Sequence, residues 1–305
     1  MILGLFADFH ATNETPKCRK DDFPETQKQK FLQILDIFDL EGCRHVLFAG
    51  DFWDSTKIPY KTTNWYLETL KNKWCNYPIG TVAGQHDQIN HTMNLENSPY
   101  KTMVNAGLFY HLGSTPRVVD GGTAEPDVHI YGKSWGETVP EIIDDKAFNI
   151  LVNHDTLVMD KLWEGQKEPK YADKFLKNSM FNLVVCGDNH TPFVTRYRSR
   201  TLVMCGSVCR LEVGQVNYQP AVYTFNTKTK KLSEHKIKIQ KDVIKYEEHK
   251  EKKKKKLDLE KFVSLLDKRT INRDFVNSTL EESRNIPHKA VRKEISDIIN
   301  AVTGR

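Results

Sequence analysis

Cysteine is scarce in this sequence: six residues in 305 (Cys18, Cys43, Cys75, Cys186, Cys205, Cys209), with no C-x-x-C spacing among them. That excludes a disulfide scaffold, a zinc knuckle and a thioredoxin-type pair, and it points to a reduced, soluble, cytoplasmic protein. No stretch approaches the roughly 18–20 apolar residues that crossing a bilayer requires, so no membrane partner is expected. The N-terminal segment from Met1 to Asp8 is apolar but short and has no basic leader, and it reads as a buried strand rather than an export signal. Internal repeats are absent. What is present suffices for a large core: the hydrophobic share of 39% and aromatic share of 10% rule out wholesale disorder.

The net charge of +5 is unevenly placed. Residues 236–256 hold ten lysines against four acids and end in the run Lys252 to Lys256. Such a run is either a solvated linker or a phosphate-tracking patch for nucleic acid, and charge alone does not choose between them. Beyond it, Leu259, Phe262, Val263 and Leu266 form one apolar stripe, and Val291, Ile295, Ile298, Ile299 and Val302 another, both at helical spacing. The expected organisation is a main domain over 1–240, a basic linker over 241–256, and a helical segment over 257–305. That last segment either packs back on the domain or docks a partner.

The first 225 residues alternate strands and helices. Ile2–Ala7, His45–Ala49, Ile79–Ala83, Phe148–Val152 and Leu183–Cys186 read as continuous buried strands. Glu25–Leu40 and Tyr60–Trp74 read as helices between the first three, the grammar of an α/β fold. Thr201–Cys205, Ala221–Phe225 and His235–Ile239 read as further strands.

Each of the first five strands runs into a polar cluster. In order these are Asp8-Phe9-His10, Gly50-Asp51-Phe52-Trp53-Asp54, Gly84-Gln85-His86-Asp87, Asn153-His154-Asp155 and Gly187-Asp188-Asn189-His190. In an open α/β sheet the carboxyl ends of the strands line the ligand crevice, so groups far apart in sequence would meet there. Carboxylates and imidazoles gathered in a crevice repel or titrate unless cations supply the opposing charge. Oxygen and imidazole ligands without thiolate favour manganese, iron or magnesium over structural zinc. The groups are too many for one ion and suit two, the standard clamp for hydrolysing phosphate esters. The remaining histidines (His45, His91, His111, His129, His235, His249, His288) read as ordinary packing residues.

In this order the clusters resemble the signature of the calcineurin-like metallophosphoesterase superfamily: D-x-H, G-D, G-N-H-D/E, H and G-H-x-H. Within it the chain resembles the SbcD-type DNA repair nucleases, which partner an SbcC-type ATPase. The stretch Ser98-Pro99-Tyr100-Lys101-Thr102-Met103-Val104-Asn105-Ala106-Gly107-Leu108-Phe109 is similar to their S-P-x-x-x-L-x-x-x-G-L-V. Asp54, Asp87 and Gly206-Ser207 also fit the nucleases, and the short length and compact C-terminus look like a bacteriophage version. The resemblance covers about residues 1–225. It implies an α/β fold, a two-sheet β-sandwich flanked by helices in α/β/β/α layers, with a small C-terminal helical appendage. The strands of the second sheet would come from the run beyond Thr201. It further implies that Asp8, His10 and His190 hold one divalent ion, that Gln85, His154 and Asp188 hold a second, and that Asp51 bridges them. His86 would be the general acid or phosphate-orienting group, with Asp87 holding its ring by a hydrogen bond.

Two positions depart from the pattern: Gln85 replaces the asparagine, and Asp188 replaces the first histidine of the last motif. Both keep coordinating chemistry and shift preference toward hard ions, manganese first and magnesium second. The leading expectation is a two-metal DNA phosphodiesterase, exonuclease on duplex ends and endonuclease on single strands, with DNA and an SbcC-type ATPase as partners and a homodimer compatible with both. A small-molecule phosphoesterase and a non-catalytic scaffold of the same fold are the alternatives.

Overall fold

A computed structural model describes residues 1–74, 78–121, 125–162, 164–246 and 273–303, with side chains over 278–300 in the last stretch. It divides into two compact units, Met1–Val243 and Ile244–Arg305.

In the larger unit, fourteen strands, four α-helices and two short 3-10 helices follow one another in the described residues. β1 (Ile2–Phe6), β2 (His45–Phe48), β3 (Ile79–Thr81) and β4 (Phe109–His111) run parallel in one sheet. Its other edge is completed by β13 (Ala221–Asn226), antiparallel to β1, and β14 (Leu232–Lys236). The second sheet has the order β11-β12-β10-β7-β6-β5. Its members are β5 (Arg117–Val119), β6 (Val128–Lys133), β7 (Phe148–His154), β10 (Leu183–Gly187), β11 (Phe193–Tyr197) and β12 (Arg200–Met204). β6, β7, β10 and β12 are parallel, and β5 and β11 cap the edges antiparallel. A short pair, β8 (Leu157–Val158) and β9 (Lys170–Tyr171), lies between β7 and β10 in sequence.

The layers follow from period-two alternation along each strand. Leu3, Leu5 and Ala7 face inward with Leu47, Val82, Ile150, Val152, Leu183, Val185 and Val203, forming the core between the sheets. Phe6 and Phe48 face outward, onto Phe31, Ile34 and Phe38 of α1 (Phe23–Leu40) and Tyr66 and Leu70 of α2 (Tyr60–Lys73). On the second sheet Leu151, Val184, Cys186 and Leu202 face outward to Ala172 and Leu176 of α4 (Ala172–Asn178). The result is the four-layer α/β/β/α sandwich. Gly4 permits the close approach of α1, because a Cβ there would lie 2.8 Å from the Phe38 ring.

Helix starts are set chemically. Asp22 accepts the Glu25 N–H at 3.1 Å ahead of Pro24 in the first turn of α1. Ser98 does the same for Lys101 ahead of Pro99, which opens α3 (Pro99–Asn105).

Two expectations are corrected. The second sheet does not come from the run beyond Thr201: it takes five of its six strands from before that point, and β13 and β14 return to the first sheet. The last strand is Leu232–Lys236 rather than His235–Ile239, because a turn closed on the Asn226 side chain pairs Phe225 with Leu232.

In the C-terminal unit, α5 (Arg273–Arg284) precedes α6 (Lys289–Thr303). Val291, Ile295 and Ile299 form a small cluster with Leu280 and Ile286. The lysine run and the stripe from Leu259 to Leu266 lie outside the described residues. No helix among the described residues is long and apolar enough to cross a membrane.

Candidate metal centre

The carboxyl ends of β1, β2 and β3 in one sheet and of β7 and β10 in the other meet at one place. Sharp backbone turns there aim the side chains: Asp8, His10, Asp51 and Asp188 all adopt positive φ (49°, 50°, 55° and 81°), a region that costs non-glycine residues about 1–3 kcal/mol each. Glycines make room. A Cβ on Gly84 would fall 2.0 Å from Asp51 Oδ1, and one on Gly50 would fall 2.4 Å from His154 Nδ1.

Ligand atoms of Asp8, His10 and His190 lie within 4.8 Å of one another, as do those of Asp8, Asp51 and His154. His10 and His190 face each other through their Nε2 atoms at 3.1 Å. His154 Nε2 is 3.4 Å from Asp51 Oδ2 and 2.9 Å from Gln85 Oε1, while its Nδ1 meets the Ala49 carbonyl at 2.6 Å. That carbonyl fixes Nδ1 as the protonated nitrogen and leaves Nε2 directed at the centre. Gln85 donates to Asp188 Oδ1 at 2.8 Å, and the Thr156 hydroxyl donates to Asp188 Oδ2. The Asp188 N–H donates to Asp8 Oδ1 at 2.9 Å, tying the last cluster to the first.

The residues fit a pair of cations. Asp8 Oδ2 and Asp51 Oδ2 are buried and accept no hydrogen bond, a cost that a bound cation removes. Burial pushes the Asp8 carboxyl up to about 7. Burial also works against ionised Asp51, but His154 foremost, then His10 and His86, outweighs it and holds that carboxyl below the usual range. His154, although buried, is raised to about 10 by Asp51, Asp8 and Asp188. Burial and His10 lower His190 to about 4, which keeps its ring a neutral donor.

All seven expected ligand positions (Asp8, His10, Asp51, Gln85, His154, Asp188, His190) line this centre. His86 sits at its half-exposed edge, its ring 4.9 Å from that of His10. Its Nδ1 meets the Asp54 carbonyl oxygen at 2.8 Å.

Asp87 does not hold the His86 ring, contrary to expectation. It is fully buried and accepts three backbone N–H groups, from Asp51 (2.9 Å) and Gly84 (3.0 Å) on Oδ2 and from Trp53 (3.1 Å) on Oδ1. Adjacent residues in this loop point opposite ways, so Asp87 clasps the second and third clusters while His86 faces out. His91 is likewise not a packing residue: it is exposed, and its ring contacts those of His86 and Trp135.

Sequence reasoning missed the parts played by Thr156 and by the Ala49 and Asp54 carbonyls. Thr156 had a signal, lying two residues after His154. Asp54 stands three residues after Asp51, and its carboxylate lies 3.5 Å from His10 Nδ1.

No curated protein matches the chain in sequence. Among solved structures it is similar to an archaeal phosphodiesterase (13% identity, TM-score 0.42, covering 78% of this chain and 100% of that one). It is also similar to a 5'-nucleotidase precursor from Thermus thermophilus (13%, TM-score 0.43, covering 80% and 54%). A third is the phosphopantetheinyl hydrolase PptH from Mycobacterium tuberculosis (14%, TM-score 0.40, covering 68% and 89%). Residues 1–230 match the calcineurin-like phosphoesterase superfamily domain, and the chain belongs to that superfamily of metal-dependent phosphoester hydrolases.

Proposed function

We propose that this hydrolase is a DNA phosphodiesterase, the nuclease subunit of a complex with an SbcC-type ATPase, trimming duplex ends and cutting single strands. The observation that carries the chemistry is the convergence of Asp8, His10, Asp51, His154 and His190 from two sheets, with Asp8 common to two of the three groups of candidate ligands among the described residues. Two divalent ions, manganese or magnesium, held by these residues with Gln85 and Asp188 would acidify a water nucleophile and neutralise charge on the phosphoryl oxygens. The side chains do the rest. Asp51 and Asp8 offer buried, unengaged oxygens at the middle of the cluster. His86 has its Nδ1 engaged by the Asp54 carbonyl, which leaves Nε2 as the ring nitrogen available to a substrate. There Nε2 can orient a phosphoryl oxygen, or pass a proton it carries to the departing alkoxide.

The choice of DNA as substrate draws on the nuclease-like segment from Ser98 to Phe109, on Asp54 and Asp87, and on the ten-lysine stretch before residue 257. The test is cleavage of labelled duplex and single-stranded DNA with manganese, magnesium or chelator. Metal-dependent cutting of DNA supports the proposal. Hydrolysis of small phosphoesters with DNA left intact would favour the small-molecule reading. The partner role is tested separately: deleting 257–305 should abolish capture of the ATPase while leaving nicking of a simple phosphodiester in place.

A further inference from the structure

A line of rings leads outward from the metal centre. The His10 and His86 centroids are 4.9 Å apart, His86 and His91 6.0 Å, and His91 and Trp135 6.2 Å. His91 is exposed, Trp135 is half-exposed, and Met93 beside them is 52% exposed. We propose that His91 and Trp135 form a stacking platform for an unpaired nucleobase next to the scissile phosphate. The proposal rests on the reading of the chain as a DNA phosphodiesterase and adds what it grips.

The platform is built rather than incidental. Gln88, nearly fully buried directly after the third cluster, donates its amide to the Trp135 carbonyl at 3.0 Å and accepts the Met93 N–H at 2.7 Å. It thereby clamps the two loops that carry the rings. The Trp135 N–H donates to the Ala83 carbonyl at 2.9 Å, and the Ala83 N–H donates to the Ser134 hydroxyl at 3.2 Å. Both loops are thus pinned to the segment that delivers Gln85 and His86, so a base held there keeps a fixed offset from the reacting phosphorus. Asn90, His91 and Met93 adopt left-handed backbone (φ 50°, 55° and 60°), and Gly136 does so at +87°. A Cβ at Gly136 would approach Met93 Cγ and Sδ to 3.3 Å, so the missing side chain lets Met93 lie against this loop. Strained backbone that displays rings to solvent beside a reactive centre matches a ligand clamp.

Every base has a π face, so such a platform is tolerant of sequence. A base inside a duplex is already stacked, and offering it to protein rings costs unstacking. The platform therefore favours single strands and frayed ends over internal duplex.

The test compares kcat/KM on a short single-stranded oligonucleotide with the same oligonucleotide carrying tetrahydrofuran abasic residues, using the metal-loaded full chain. The wild type should prefer the base-bearing strand about tenfold, the range expected for one stacked base. Trp135→Ala should erase that preference by lowering kcat/KM on the base-bearing strand, while Trp135→Phe retains most of it. His91→Ala, at an exposed position, should reduce the preference severalfold. Undiminished preference in both Trp135→Ala and His91→Ala, or no preference in the wild type, overturns the platform alone. Failure of the wild type to cut either DNA overturns the DNA reading and the platform with it.

Discussion

The side-chain amide of Gln85, at the end of the first sheet's β3, donates to Asp188, at the end of the second sheet's β10, across 2.8 Å. These are the two positions at which the chain departs from the superfamily pattern, and they face each other. The longer amide reaches a shorter, anionic acceptor, while its carbonyl oxygen still meets His154 Nε2 at 2.9 Å. Restoring the pattern at one position alone, as Gln85→Asn or Asp188→His, should weaken manganese affinity about 10–100-fold. The double variant should lose much less than the product of the two. Titration calorimetry on the four proteins measures the coupling, and strictly additive losses would contradict it.

His86 stands at the edge of the centre, its Nδ1 on a backbone carbonyl and its ring beside that of His10, outside the two ligand groups that share Asp8. His86→Ser should lower turnover of a phosphodiester by about 10²–10⁴-fold and leave manganese binding unchanged. Activity assays paired with metal titration check this, and a variant that cuts at the wild-type rate would remove His86 from the reaction.

Asp87 has a different part to play. Asp87→Ala would strand three buried N–H donors, of Asp51, Trp53 and Gly84, at about 1–3 kcal/mol each. Chemical denaturation should show a loss of several kcal/mol, with activity falling because Asp51 is displaced. An alanine variant as stable as the wild type would contradict the clasp.

The metal-free chain should lose stability as pH rises. Folded Asp8 titrates at about 7 against an ordinary 3.8, and folded His154 at about 10 against 6.5. Between those limits these two groups hold protons in the folded state that the unfolded chain has released; His190, held down at about 4, opposes Asp8 below its ordinary 6.5, so the unopposed loss of stability runs from about pH 6.5 toward 10. Ligation requires the Asp8 carboxylate and neutral His154, so ion binding expels protons and strengthens with pH. Melting curves of chelator-treated protein from about pH 6.5 to about pH 9 should show a falling midpoint, and manganese should raise it more at higher pH. A metal-free midpoint that rises through this range would contradict the raised values at Asp8 and His154.

The strands that build the centre were legible because Ile2–Phe6, His45–Phe48 and Leu183–Gly187 are unbroken apolar runs ending in acid or imidazole. Their division into two sheets was not, because parallel strands joined by long crossovers leave no local mark of which sheet each enters. β5, of three residues with Arg117 at its start, has too little apolar sequence to stand out. The ligand set was readable from residue type and order. Asp87 was misread because adjacent loop residues differ in direction, which spacing does not encode. His91 was misread because its turn conformation, not its neighbours in sequence, brings its ring beside that of His86.

Anomalous diffraction from crystals grown with manganese tests the central claim most directly. Two peaks about 3.5–4 Å apart are predicted, one contacted by Asp8, His10 and His190, the other by Gln85, His154 and Asp188, with Asp51 touching both. A featureless map at these side chains, or manganese bound only elsewhere, would contradict it.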